Sequence, residues 1–132
     1  MTQVYKRPWL VLAGLALGVT VTNGFARFAY GLILPAMQSD LGWTYAQAGW
    51  LNTANALGYI AGAVLTMLLI RRHSATSLFS FGLITTNLAL LSTGLIPDLW
   101  WQTLWRILVG FFGAMSFSTA GVLAAGLFVN DP

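Results

Sequence analysis

The segment NGFARFAYGLILPAM, residues 23–37, places Arg27 inside a long apolar run. A guanidinium stays protonated in proteins, so hydrocarbon surroundings demand either a partner or a use for it. At 3.6 residues per turn, Thr20, Asn23, Gly24, Arg27, Tyr30 and Gly31 share one helical face, with Phe25, Phe28 and Leu32 on the other. A second cation, Arg106, lines up with Gln102, Gly110 and Gly113, and a third polar stripe holds Asn52, Asn55, Tyr59, Gly62 and Thr66. The chemistry these types offer is recognition of negative charge and hydrogen bonding in a medium of low polarity.

What the stripes lack is equally informative. No Asp, Glu or His falls within an apolar run, so this stretch offers no proton carrier and no counter-charge for either arginine. The compensating charge must be a solute, another part of the protein, or water. The chain has no Cys; its one His is His73, and Asp40, Asp98 and Asp131 lie far apart, so neither a metal nor a cofactor is expected. With no nucleophile–His–acid set and no phosphate-cradling loop, the residues do not describe an enzyme.

The elements that must hold these side chains follow from composition. Apolar residues make up 58% of the 132 and charged ones only 7%, against about 25% charged in an average soluble domain. The chain reads as an all-α membrane protein whose first partner is the lipid bilayer. Four runs, about 9–37, 45–70, 75–96 and 99–129, each reach the roughly 20 residues a helix needs to cross hydrocarbon. The first and fourth exceed it, and tilt or a bend near Gly24, Gly31 or Pro35 would absorb the excess in the first. Thr44 with Gln47 fits a capping box, and Ser74 and Asp98 are placed as N-caps of the third and fourth helices. Gly14/Gly18, Ala54/Gly58/Gly62 and Gly110/Gly113 predict close helix packing. The third span, with Asn87 its only strong amide, is expected to be the most lipid-exposed.

The net charge of +3 reads as topology, not as affinity for nucleic acid. Lys6 and Arg7 precede the first span and Arg71 and Arg72 follow the second, while the QSDLGWT and PD loops carry no basic residue. Both ends of the chain and the 71–73 loop are therefore expected in the cytoplasm, with Trp43, Tyr45, Trp50, Trp100 and Trp101 as an outer aromatic belt. Lys6-Arg7 followed by WLVLAGLALG resembles a signal peptide, but the apolar run continues past a signal core, and an uncleaved first span is the better reading. In this orientation Arg27 lies ten residues before Met37 and Arg106 eight after Asp98, roughly 15 and 12 Å from the outer side. The two cations are thus expected at matched depth, turned inward to a shared hollow.

The candidate solute-binding residues are Arg27 as the main anion-facing charge, Asn23 and Tyr30 as flanking donors, and Arg106 as a second charge or a helix tie. Asn52 and Asn55 are either further ligands or interhelical glue. The function these support is transport of a small anionic or polar organic solute. The alternative is a four-helix membrane scaffold or assembly protein that moves nothing. A small oligomeric multidrug exporter is disfavoured, because it needs an intramembrane carboxylate.

The segments NGFARFAYGLILPAM and QSDLGWTYAQAGWLNTANALGYIAGAVL together resemble the start of bacterial major facilitator superfamily transporters, in particular the YbfB/YjiJ-like group. The matching positions are Gly24, Arg27, Phe28, Ala29, Tyr30, Leu34, Pro35, Met37, Ala48, Gly49, Asn55, Gly58, Tyr59 and Gly62, and WRILVGFFGA adds the Arg-x-x-x-Gly pair Arg106 and Gly110. The resemblance implies a place within the amino-terminal six-helix bundle of a twelve-helix fold, in a bacterial inner membrane. It implies alternating access, a cavity lined by the first and fourth helices, a peripheral third helix, and the remaining helices of a full-length transporter as partners. GAVLTMLLIRR departs from the family's loop signature, with Thr66 and Leu69 roughly where Asp and Gly are usual.

Overall fold

The computed structural model describes residues 7–127. Among them four helices are long and apolar enough to span a membrane: α1 (Pro8–Leu41), α2 (Tyr45–Leu69), α3 (Ala75–Thr93) and α4 (Leu99–Leu127). Local chemistry explains most of their ends. Pro8 occupies the first turn of α1, where a missing N–H costs nothing. Gly42 closes α1 at φ +66, a left-handed geometry that glycine adopts without strain. Thr44 and Gln47 form the reciprocal capping box of α2. Ser74 accepts from the Ser77 amide, and one Asp98 carboxylate oxygen accepts from the Trp100 and Trp101 amides at 3.0 and 3.1 Å.

Two boundaries differ from the apolar runs. α1 carries on to Leu41 through Pro35, whose ring frees one backbone carbonyl without ending the helix. α3 stops at Thr93, short of Ile96, with Gly94 as its C-cap and Pro97 beyond, and side chains of α4 satisfy the carbonyls freed there. The Gln102 amide donates to the Thr93 and Ile96 carbonyls, and the Trp101 indole donates to that of Ser92 at 2.9 Å.

Thr20–Ala29 is π-helical, so its hydrogen bonds run i→i+5 and its turns are wider. This rotates the stripe expected at 3.6 residues per turn. Thr22, Ala26 and Tyr30, four apart, fall into line and are buried, whereas Thr20, Arg27 and Gly31 are exposed. Tyr30 thereby leaves the face that Arg27 occupies.

α4 is the hub. In its most apolar window 44% of residues are buried, against 33% in α2 and 22% in both α1 and α3. The third span is thus no more exposed than the first. α2 lies on α4 with backbones in contact: a Cβ on Gly58 would overlap the Ile107 carbonyl, one on Gly62 that of Phe111, and one on Gly110 that of Asn55. α3 approaches through Gly82, where a Cβ would stand 2.9 Å from the Ser116 amide nitrogen. α1 is held more lightly, by Gly18 against Phe79 and by a Ser116 to Thr22 hydroxyl bond of 3.3 Å. A Cβ added at Gly14 or Gly113, although these are spaced like packing residues, would meet nothing within 4 Å. Leu32, Phe28, Leu91 and Leu95 stand exposed, as suits an exterior of hydrocarbon.

Substituting Gly58, Gly62 or Gly110 with Val is expected to separate α2 from α4 and destabilise the protein by about 1–3 kcal/mol each. Gly14→Ala is expected to be neutral or slightly stabilising. Thermal unfolding of the purified variants in detergent checks both.

Candidate functional site

Arg106 sits at the junction of three helices. Only 5% of it is exposed. One terminal nitrogen donates to the Ala26 carbonyl of α1 at 2.9 Å, and the guanidinium carbon lies 3.1 Å from the centre of the Tyr30 ring. Its own backbone carbonyl accepts from the Asn55 amide of α2 at 3.0 Å. The carbonyl and the ring face together spread the burden of a charge that is costly to strand in a low-dielectric interior. The arrangement ties α4 to α1 and α2 at one level.

This junction borders a cleft of about 270 Å³ between α1, α3 and α4, lined by Tyr30, Gln102 and Arg106 among apolar residues such as Phe25, Ile33 and Leu90. The Tyr30 hydroxyl, the Gln102 carbonyl oxygen and the Arg106 Nε are buried there without hydrogen-bond partners among the described residues. The Gln102 amide is oriented by its two bonds to the end of α3, so its oxygen faces away from them.

Arg27 has a different environment. It projects from the π-helical stretch into an exposed position, and its contact is with Tyr59 of α2, the guanidinium carbon lying 4.6 Å from the ring centre. Among the described residues it forms no hydrogen bond or ion pair. The acids nearest in sequence, Asp40 and Asp98, are exposed at helix ends. Since Arg106 reaches the carbonyl of Ala26, the residue next to Arg27, the two cations share a level. Arg106 arrives at α1 from α4, whereas Arg27 leaves α1 towards Tyr59 of α2.

The six candidates therefore separate into two groups. Arg106, Tyr30 and Asn55 meet in the buried junction, where the Asn55 amide is spent on a backbone carbonyl. Arg27 and Asn52 are exposed. Half-buried Asn23, one turn before Arg27, makes only long bonds, to the Val19 carbonyl at 3.5 Å and the Thr22 hydroxyl at 3.3 Å. Two residues outside the candidate set matter. Tyr59 carries the contact with Arg27, and Gln102 both takes up carbonyls freed at the end of α3 and borders the cleft. Each already stood on a polar stripe, but neither side chain announces a role until its neighbours are fixed.

Comparison with known proteins decides the family. Residues 19–129 match the family described as "Uncharacterised MFS-type transporter YbfB", which takes in all of α2, α3 and α4 and most of α1. The chain belongs to the YbfB family of major facilitator superfamily transporters. No curated protein and no solved structure matches it. Membership makes this a membrane protein of a transport family, and that family is not one of enzymes. The Arg106–Gly110 pair gains a physical meaning within it: the glycine seats α4 on the α2 backbone while the arginine four residues earlier reaches across to α1.

Two substitutions separate tie from ligand. Asn55→Leu is expected to lose about 1–2 kcal/mol of stability, the scale of an interhelical hydrogen bond in membranes, without weakening solute binding. Arg106→Lys keeps the charge but loses the planar stack on Tyr30, and is expected to lower the melting temperature well below that of Arg27→Lys. Both are read by thermal unfolding and ligand titration of the intact transporter.

Proposed function

We propose that this chain forms part of a secondary transporter that carries a small anionic or polar organic solute across the membrane by alternating access. The observation that supports it most is the exposed, uncompensated guanidinium of Arg27 midway along α1. Insertion scales set a centrally placed arginine at about +2.5 to +3.5 kcal/mol. A cation kept there without a carboxylate is well suited to meet a negative charge that comes and goes.

On this reading Arg27 faces the solute path, with Asn23 and Asn52 as polar neighbours along it. Arg106 and Tyr30 act at one remove, holding α1 at the height where Arg27 is useful, while Asn55 ties α2 to α4. The contrast between the locked α2–α4 pair and the lightly held α1 suits a mechanism in which one packed unit moves against another. The remaining helices of the full-length transporter complete the path. The distribution of Lys and Arg supports a bacterial inner-membrane orientation with both ends of this segment in the cytoplasm.

The test is uptake of labelled organic acids by cells expressing the full-length protein. Arg27→Gln is expected to abolish uptake and Arg27→Lys to reduce it at least tenfold. Unchanged uptake in both variants removes Arg27 from the path. A full-length protein that accumulates normally and moves no solute favours the scaffold alternative.

A further inference from the structure

Arg27 presents its charge in a restricted way, and the restriction narrows what it can bind. A guanidinium has two flat faces and an edge of N–H donors. The guanidinium carbon of Arg27 lies over the Tyr59 ring, 4.6 Å from its centre, and none of its N–H groups has a hydrogen-bond acceptor among the described residues. Tyr59 is firmly mounted, because Gly58 beside it and Gly62 one turn on set the α2 backbone directly on Ile107 and Phe111 of α4. The ring is half-buried, so it stands as a fixed platform under a long, flexible side chain.

From this geometry we infer that Tyr59 is the positioning residue of a monocarboxylate subsite, in which the solute's carboxylate lies in the guanidinium plane and accepts two N–H bonds from Arg27. The inference rests on the transport reading above and deepens it. The edge of a stacked guanidinium matches a carboxylate in shape as well as charge, through paired, parallel N–H···O bonds. A neutral amide offers a single acceptor and no charge. Among the described residues the site provides one positive charge, since Arg106 is committed to the Ala26 carbonyl and the Tyr30 ring. A monoanion therefore suits it better than a dianion such as phosphate. The platform acts through the π-face of the ring, and the Tyr59 hydroxyl takes no part.

Isothermal titration of the purified full-length transporter provides the test, with acetate and benzoate as probes and acetamide, benzamide and inorganic phosphate as comparators. The wild type is expected to bind both carboxylates, neither amide, and phosphate more weakly than acetate. Tyr59→Phe is expected to keep the carboxylate affinity within about twofold. Tyr59→Leu is expected to weaken it roughly 5- to 30-fold, the range a lost cation–π contact allows, with an unchanged melting temperature. The inference is overturned if the wild type binds neither carboxylate, if phosphate or the amides bind as well as acetate, if Tyr59→Leu matches the wild type, or if Tyr59→Phe is as weak as Tyr59→Leu. Arg27→Gln separates the two levels of the argument. Uptake lost in Arg27→Gln with carboxylate affinity intact in Tyr59→Leu leaves transport standing and removes only the platform. Uptake retained in Arg27→Gln removes Arg27 from the path and the subsite with it, and a wild type that moves no solute removes the transport reading itself.

Discussion

Everything in this bundle is hung on the contact between the backbones of α2 and α4. Lipid tails are as apolar as Leu, so sequestering leucine gives helices in a membrane little reason to associate. Close van der Waals packing and a few polar links must supply the attraction. Gly58, Gly62 and Gly110 allow that packing by removing the side chains that would hold the two helices apart. The polar links Trp50 to Thr103 and Asn55 to Arg106 then lie along the same seam, where close approach brings donors within reach. Remove the glycines and these bonds lose their geometry as well.

From that seam the rest follows in order. A fixed α4 gives Arg106 a fixed base, and the length of an arginine side chain sets where α1 can sit. The Ala26 carbonyl and the Tyr30 ring are what it finds there. The same seam fixes Tyr59, which meets Arg27. Two arginines that look alike in sequence thus meet α1 at adjacent residues, Ala26 and Arg27, and have different fates. One is consumed in holding the bundle together, and the other is left with its donors free.

Much of this could be read from residue order, and the reasons differ by feature. The spans were legible because length and composition decide them, and the caps at Thr44, Ser74 and Asp98 because a cap is settled within a few residues. The glycine spacing in α2 was legible as packing, but Gly113 and Gly14, where an added Cβ would find room, show that spacing alone does not tell which glycine a neighbouring helix presses against. The partner of Arg106 was hidden: Ala26 is eighty residues away, and a backbone carbonyl carries no side-chain signal. Tyr30 was assigned to the Arg27 stripe because an ordinary helical period was assumed across Thr20–Ala29. The end of α3 comes earlier than the apolar run suggests, at Gly94, where Gln102 of another helix takes up a freed carbonyl. Apart from that change of period within α1, each difference concerns a relation between helices.

The π-helical stretch gives α1 a further property. Its hydrogen bonds skip one residue more than in the flanking turns, so Thr20–Ala29 holds slack in the winding of the helix. Rewinding that slack would swivel the outer portion, Tyr30–Leu41, against the inner portion, Pro8–Val19, as a screw thread advances. Arg27 and Tyr30 lie where the two portions join, so the twist would turn both side chains about the axis while the seam between α2 and α4 stayed whole.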